Sequence, residues 1–542
     1  MQFCRSFSTK ISKMSVTRDD YLKLANSLRE ITVLEGVSGL LGWDELVMLP
    51  ENAAECRGLQ KEVLAGILYD KKTSPVLGQL LESLSKNSNE LSEVNAANVR
   101  VARKAYLRTT ALPKDLVQKM AALETTAYGS WVAARKASDF SLFRSSLQAW
   151  VDANKQKAAF ITSANVAAGV NNTSSAYDIL LDDYETGMTS KRIDEVFAEV
   201  RAGLVPLIKK IRDNGAPLSS SWLISEESAT DANKLSFDLT KQAALCREIA
   251  LDLGFDINKG RLDVSVHPFT GGAHPTDVRM TTRFKVGDLT EGLTGAIHET
   301  GHALAEQNRN LSEEWRDQPV NVIMSMGIHE SQSLFWERMV ALGKPFQKYL
   351  FPKIQKTFPE VESLQNKTHE DFYTAINKIK DTDNGFIRVE ADEVTYTMHI
   401  IIRFEIEQAL VSGELSVDDV PRVWNQKMKD YLGVDVSDDA KGCLQDVHWA
   451  GGALGYFPTY SLGALYACQL YESALHDLPD LENDLAQGKF TAIREWLTKK
   501  VHAVGSFYKN GDELMIAATG KPLDPQVFLK YLTKKYTELY KL

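Results

Sequence analysis

The sequence predicts a mostly α-helical protein that forms one large body with a small β-sheet. Apolar residues recur at three- and four-residue intervals through nearly the whole chain, which is the spacing of one helix face. Period-two alternation, which is typical of strands, is confined to residues 261–287. No long polar linker separates the helical blocks. We therefore expect a single domain over residues 15–542, although a chain of this length suggests roughly three or four domains.

The N-terminus carries a short basic segment ahead of the first predicted helix. Residues 1–14 contain three basic residues and no acidic residue. This composition is that of an organellar transit peptide, and an unstructured leader with translation starting at Met14 is an equal alternative. We therefore expect a cytoplasmic protein, or a mitochondrial or plastid protein if the leader is a targeting signal.

The predicted helices begin near Thr17 and continue to about Val200. Thr17 and Asp20 have the spacing of a capping box, and Pro50 ends the first helical block. Residues 213–231 are rich in Ser, Gly and Pro and predict an exposed loop.

The strand-like stretch follows this loop. Leu262, Val264 and Val266 alternate with polar residues, and residues 281–286 predict a second strand. The segment between them, residues 267–272, has the composition of a turn. Helical spacing resumes after this stretch and continues to Leu542.

Charge and cysteine content exclude several classes of protein. The net charge is −10, with 62 basic and 72 acidic residues, and no segment concentrates positive charge. This balance disfavours nucleic-acid binding. No run of residues approaches the ~18 apolar residues of a membrane span. The five cysteines include no CxxC pair, which argues against a thiolate metal site and favours a reducing compartment.

One short motif, HExxH, carries chemistry. His298 and His302 are four residues apart and lie on one face of a helix, where both imidazoles can bind one metal ion. Glu299 is turned about 100° away and can reach a metal-bound water. Asp288 and Glu291 have capping-box-like spacing just upstream, which predicts where this helix begins.

A catalytic zinc site usually takes three protein ligands and leaves a position for water. Glu330 lies on the next predicted helix and is a reasonable third ligand, which gives a His₂Glu site. The alternatives are that Glu330 is a surface residue or that His329 is the third donor.

Seven ordered segments resemble the carboxypeptidase Taq family of metallopeptidases, over roughly residues 18–540. These segments are His267-Pro268-Phe269, Asp277-Val278-Arg279-Met280-Thr281, His298-Glu299-Thr300-Gly301-His302, His329-Glu330-Ser331-Gln332, Ile387-Arg388-Val389-Glu390-Ala391-Asp392, Gln445-Asp446-Val447-His448-Trp449 and Gly455-Tyr456-Phe457-Pro458-Thr459-Tyr460.

The resemblance implies a large helical metallopeptidase body with a deep active-site cleft, a small sheet beside the HExxH helix, and a homodimer. It assigns His298, His302 and Glu330 as metal ligands and Glu299 as the catalytic carboxylate. The implied cofactor is one Zn²⁺ per chain, which Co²⁺ can replace. The implied reaction is release of single residues from peptide C-termini with broad preference.

Two further roles are open. The oxyanion of the reaction needs a donor besides the metal, and Tyr456, Tyr396 and His448 are candidates. The free carboxylate of a peptide needs a cation, and Arg388 is the preferred anchor because a guanidinium binds a carboxylate in a bidentate manner. The alternative for Arg388 is a structural ion pair with Glu390, Asp392 or Glu393. We expect Arg403 to be an internal ion-pair partner.

Other functions share parts of this pattern. A zinc oligopeptidase or aminopeptidase would use the same His₂Glu ligands, so the ligands do not discriminate. A non-catalytic peptide-binding protein would keep the fold but lose a site residue, whereas all four expected residues are present. We therefore expect peptide substrates, no nucleic acid and no membrane partner.

Overall fold

A computed structural model describes residues 2–170, 174–223, 235–379 and 387–542, with side chains described from residue 17 onward. Within these residues it contains 21 α-helices and one three-stranded sheet, which confirms the predicted mostly helical class. None of these helices combines the length and apolar character needed to span a bilayer.

The elements follow one another along the chain in this order. They are α1 Gln2–Val47, α2 Ala54–Lys72, α3 Pro75–Lys86, α4 Glu93–Ala111, α5 Lys114–Ala137, α6 Ser141–Ala167, α7 Ala176–Leu181, α8 Ser190–Asn214, α9 Leu239–Leu253, β1 Gly260–Val264, β2 Thr270–His274, β3 Asp277–Thr282, α10 Leu289–Gln307, α11 Met326–Leu334, the π-helical segment Phe335–Ala341, α12 Lys344–Thr357, α13 Glu362–Gln365, α14 His369–Ile376, α15 Tyr396–Ser412, α16 Val420–Leu432, α17 Pro458–Asp477, α18 Leu481–Ala486, α19 Thr491–Lys500, α20 Gly511–Thr519 and α21 Pro525–Tyr540.

The first helix differs from the prediction at its start. Helix α1 is already helical at Gln2, so Thr17 is an internal residue, and its hydroxyl donates to Glu90 at 2.7 Å instead of capping. The side chains of residues 1–16 lie outside the described part of the chain, and the leader stays a prediction. Residues 224–231 of the predicted loop are also outside it, while α8 occupies the loop's first two residues.

The sheet has three strands where two were predicted. Strand β3 is central, with β1 parallel to it and β2 antiparallel. Strand β2 begins within the predicted turn. It was not predicted because the glycines at 271 and 272 remove the side-chain alternation that marks a strand. Gly272 has φ of 141°, a conformation that favours glycine. The second predicted strand was placed too late, since β3 ends at Thr282.

Helices α10, α11 and α17 pack unusually closely. A Cβ atom on Gly301 of α10 would lie 2.5 Å from the carbonyl oxygen of Gln332. On the other side of α11, a Cβ atom on Gly463 of α17 would lie 2.7 Å from Cγ of Glu330. Glycine at both positions therefore lets the helix that carries Glu330 lie directly against its two neighbours.

A buried carboxylate holds the N-terminus of α11. Glu185 is fully buried and accepts hydrogen bonds from the Ser325 hydroxyl and the Gly327 amide, both at 3.0 Å. Tyr466 of α17 donates a third bond at 3.2 Å. The helix dipole favours negative charge at this end of a helix. Glu185 therefore connects the turn after α7 to the start of the helix that bears Glu330.

Gly301→Ala should destabilise the fold by about 1–3 kcal/mol, because the new methyl group meets main-chain atoms that cannot move independently. The matched control is Gly129→Ala, in the exposed interior of α5, where an added Cβ meets nothing within 4 Å. That substitution should stabilise the protein by up to ~1 kcal/mol through helix propensity. Chemical denaturation of both variants measures the difference, and equal effects would contradict the close-packing argument.

Glu185→Gln should change the pH dependence of stability. Burial raises the pKa of Glu185 to about 7 in the folded protein. A raised pKa means that the folded state binds more protons than the unfolded chain between about pH 4.5 and 7, so this contribution to stability falls as pH rises. Denaturation of the metal-loaded proteins gives their free energies of unfolding. Between pH 5 and pH 8, the free energy of unfolding of the variant should rise relative to that of the unchanged protein by roughly 1–3 kcal/mol. A constant difference across this range would be the contrary result.

Candidate metal centre and active-site cavity

The structure brings His298, His302 and Glu330 together, as the sequence predicted. One ligand atom from each lies within 4.8 Å of the other two. The two histidines project from α10, whose first amides at Thr290 and Glu291 are capped by the Asp288 carboxylate. Glu330 comes from α11, with its Oε2 3.8 Å from Nε2 of His298 and 3.4 Å from Nε2 of His302. Two imidazole nitrogens and a carboxylate oxygen form a donor set that fits a catalytic metal ion.

Each histidine is oriented by a partner on its other ring nitrogen. Nδ1 of His298 lies 2.6 Å from Oε2 of Glu337. Nδ1 of His302 lies 2.6 Å from Nδ1 of His329, whose Nε2 contacts Glu306 at 3.0 Å. Such partners fix the ring so that the remaining nitrogen faces the metal position. His329, the alternative third donor, therefore supports His302, and the three-residue cluster contains Glu330 instead.

The electrostatics of the cluster favour a positive charge. Burial opposes protonation of His298, but Glu330 and Glu337 outweigh it and raise the pKa of His298 to about 10. Burial likewise opposes ionisation of Glu330, yet His298 and His302 lower the pKa of that carboxyl to about 2. The carboxylates Glu330 and Glu337 thus stabilise positive charge at His298, whereas burial and His329 lower the pKa of His302.

Glu299 is positioned by the small sheet. Its side chain is 5% exposed, and its Oε2 accepts a hydrogen bond of 2.6 Å from the hydroxyl of Thr270 in β2. The same hydroxyl lies 3.1 Å from the Glu299 carbonyl oxygen. Because only Oε2 accepts this bond, the other carboxylate oxygen of Glu299 is available to accept a proton. The sheet beside the HExxH helix therefore sets the orientation of the carboxylate that the motif singles out.

A cavity of about 770 Å³ opens in front of these groups. The residues of interest in its wall are His298, Glu299, Glu330, Arg388, Tyr396 and Tyr456. Most candidate residues from the sequence thus share one cavity. His448 is the exception, because it is absent from the wall.

His448 lies behind the tyrosines of the cavity. Its ring centroid is 4.5 Å from that of Phe457 and 5.4 Å from that of Tyr456. Its Nε2 lies 3.5 Å from the hydroxyl of Tyr460, which does line the cavity. Burial lowers the pKa of His448 to about 4, so the ring is neutral near pH 7. From this position, His448 can affect the cavity only through the tyrosines that it contacts.

Arg388 lines the cavity, but its ion-pair partner differs from the predicted alternatives. Its Nε and Nη2 donate to Asp446 at 3.0 and 2.8 Å, while Nη1 donates to the Tyr396 hydroxyl at 3.2 Å. Arg403, fully buried as expected of an internal partner, binds the other oxygen of Asp446 at 2.7 Å. Asp446 therefore bridges two guanidinium groups, and its single negative charge balances one of their two positive charges.

Sequence reasoning missed several residues of the site. Glu306 follows His302 by one helical turn, and that spacing could have revealed it. Thr270 and Glu337 come from a glycine-rich strand and a π-helical segment, and no local pattern links them to the histidines. Arg338, which also lines the cavity, was missed for the same reason.

The chain is similar over nearly its whole length to known metallopeptidases. The family model described as carboxypeptidase Taq (M32) metallopeptidase matches residues 23–536. A Bacillus subtilis protein named carboxypeptidase 1 is 38% identical, over 95% of this chain and 97% of the relative. A Thermus thermophilus protein named thermostable carboxypeptidase 1 is 37% identical, over 96% and 99% of the two chains.

Solved structures agree over nearly the full length. The M32 carboxypeptidase from Deinococcus radiodurans superimposes with a TM-score of 0.88 at 34% identity, covering 97% of this chain and 100% of that one. Metallocarboxypeptidase 1 of Trypanosoma cruzi gives a TM-score of 0.86 at 33% identity, with 97% and 100% coverage. The chain therefore belongs to the carboxypeptidase Taq (M32) family of metallopeptidases, which are peptide hydrolases.

Proposed function

We propose that this protein is a zinc-dependent metallocarboxypeptidase that releases single amino acids from peptide C-termini with broad specificity. The observation that carries the proposal is the cluster of His298, His302 and Glu330 beside Glu299, in a cavity that also contains cationic side chains. The names of the relatives, carboxypeptidase 1 and metallocarboxypeptidase 1, support the same reaction.

The proposed cofactor is one Zn²⁺ per chain, held by His298, His302 and Glu330. Two imidazoles and one carboxylate suit zinc, and imidazole and carboxylate donors also accept Co²⁺. When bound, such an ion polarises the scissile carbonyl and lowers the pKa of a water molecule. Glu337 and His329 would keep the two imidazoles in the required orientation.

The side chains around the metal position then have separate roles in the proposed mechanism. Glu299, held by Thr270, accepts the proton of the attacking water and delivers it to the leaving amine. Tyr456 and Tyr396 line the cavity and are the proposed donors to the oxyanion. His448 would act through Tyr460 and Tyr456 rather than touch the substrate.

The proposed partners are peptide substrates. Arg388 is proposed to bind the C-terminal side of a peptide. The acidic balance of the chain argues against nucleic-acid partners, and we propose no membrane partner. The homodimer and the cytoplasmic or organellar location stay predictions.

Glu299→Gln should keep the metal but lose turnover. The amide preserves the size of the side chain and cannot accept the proton, so kcat should fall by about 10²–10⁴-fold. The matched control is Glu291→Gln in the first turn of the same helix, where the side chain faces Arg283 and Lys285. Metal analysis and initial rates measure both effects. Substantial hydrolysis by the Glu299 variant would show that another group is the base.

The reaction itself can be tested with three forms of one short peptide: free, N-acetylated and C-amidated. The zinc-loaded protein should shorten the first two by one residue at a time from the C-terminus and leave the amide intact. Mass spectrometry of the digests distinguishes the outcomes. Internal cuts in all three forms would indicate an oligopeptidase, and loss of residues from the N-terminus would indicate an aminopeptidase. No cleavage with zinc or cobalt would favour a peptide-binding protein.

A further inference from the structure

Arg338 is a buried cation in the wall of the metal-site cavity, and no role proposed above uses it. It lies in the π-helical segment Phe335–Ala341, which continues directly from the end of α11. The residue is 6% exposed, and it borders the cavity that contains His298 and Glu330. Single π-helical turns are rare and occur frequently at functional sites.

Burial opposes the charge of the Arg338 guanidinium, and Glu337, Glu393 and Glu330 stabilise it, but one of its nitrogens has no direct partner. Its Nη1 is buried and has no hydrogen-bond partner in the described part of the chain. The nearest carboxylates are already engaged, since Glu337 contacts His298 at 2.6 Å and Glu393 accepts from Lys535 at 2.7 Å. Glu330 faces His302. Because a buried charged donor without a partner is costly, a cavity that contains one should favour an anionic ligand.

Arg388, the preferred anchor from the sequence, has fewer free donors. All three of its guanidinium nitrogens already donate, two to Asp446 and one to the Tyr396 hydroxyl. The guanidinium carbons of Arg338 and Arg388 lie 4.7 and 6.0 Å from the centroid of the same Tyr396 ring. Both cations therefore lie near the same tyrosine of the cavity wall, and Asp446 forms an ion pair with Arg388.

We propose that Arg338 binds the free α-carboxylate of a peptide substrate, with Arg388 and Tyr396 beside it. The inference rests on the proposed carboxypeptidase function and names the residue that makes a free C-terminus necessary. A carboxylate is a planar monoanion that accepts two parallel N–H bonds from a guanidinium. A C-terminal amide is neutral and offers one acceptor oxygen, so it cannot form both parallel bonds to the guanidinium.

The test separates binding from turnover. A short acylated dipeptide and its C-terminal amide are titrated calorimetrically into the zinc-loaded Glu299→Gln protein, with and without Arg338→Met. Arg338→Met should weaken binding of the carboxylate form by about 10- to 100-fold and leave the amide nearly unchanged. Arg338→Lys keeps the positive charge but loses the bidentate geometry of the guanidinium. Its affinity for the carboxylate peptide should lie between those of the proteins with Arg338 and with Arg338→Met. Equal weakening of both peptides, or of neither, would overturn the proposal.

Two controls sharpen the comparison. Arg135→Met removes an exposed guanidinium that stacks 5.4 Å from the Trp131 ring on α5, and it should leave both affinities unchanged. Arg388→Met is examined in parallel. If it alone removes the difference between carboxylate and amide, Arg388 is the anchor and the inference about Arg338 is wrong.

The kinetics of the protein with Glu299 intact give a second readout. Arg338→Met should raise KM for the free dipeptide with a smaller change in kcat, whereas a general loss of structure would lower metal content and kcat together. If the intact protein cuts amidated peptides as well as free ones, the carboxypeptidase function fails. The calorimetric preference for the carboxylate still reports on Arg338 in that case.

Discussion

Direct contact between the main chains of α10 and α11 is the constraint on which the site depends. Gly301 leaves no side chain between the HExxH helix and the Gln332 carbonyl of α11. Gly463 of α17 removes the side chain on the opposite side, next to Glu330. Closely packed interiors leave little freedom for such elements to shift. The spacing between Glu330 and the two histidines is therefore fixed by packed backbones rather than by flexible side chains.

The polar groups in this packed region are held from several distant parts of the chain. Glu299 is held by Thr270 of the sheet, His298 by Glu337 of the π-helical segment, and the start of α11 by Glu185. Each partner satisfies a buried polar atom that would otherwise destabilise the fold. The same bonds restrict the rotation of the groups that are proposed to meet a metal and a substrate. Stability and preorganisation are thus provided by the same contacts here.

The part of this arrangement that the sequence could predict is the local part. Helical spacing reveals most helices, and it places His298 and His302 on one face because four residues make about one turn. The start of α1 was wrong because Thr17 lies inside a longer helix, where capping-box spacing has no meaning. Strand β2 was missed because Gly272 has no side chain to alternate. Glu330 was a reasonable third ligand from its place on the next helix, but only the resemblance chose it over His329. The contact of Glu337 with His298 depends on tertiary packing that no spacing encodes.

An exopeptidase must keep a fixed distance between its metal and the group that binds the peptide terminus. Glu330 and Arg338 lie on one continuous helical element, since α11 runs into the π-helical segment without a break. They are eight positions apart in the sequence, which corresponds to about 12 Å along the axis of a regular α-helix. A rigid helix allows less variation than two separate loops would. In the proposed mechanism, the element that carries Glu330 would therefore hold both the third metal ligand and the group that binds the peptide terminus.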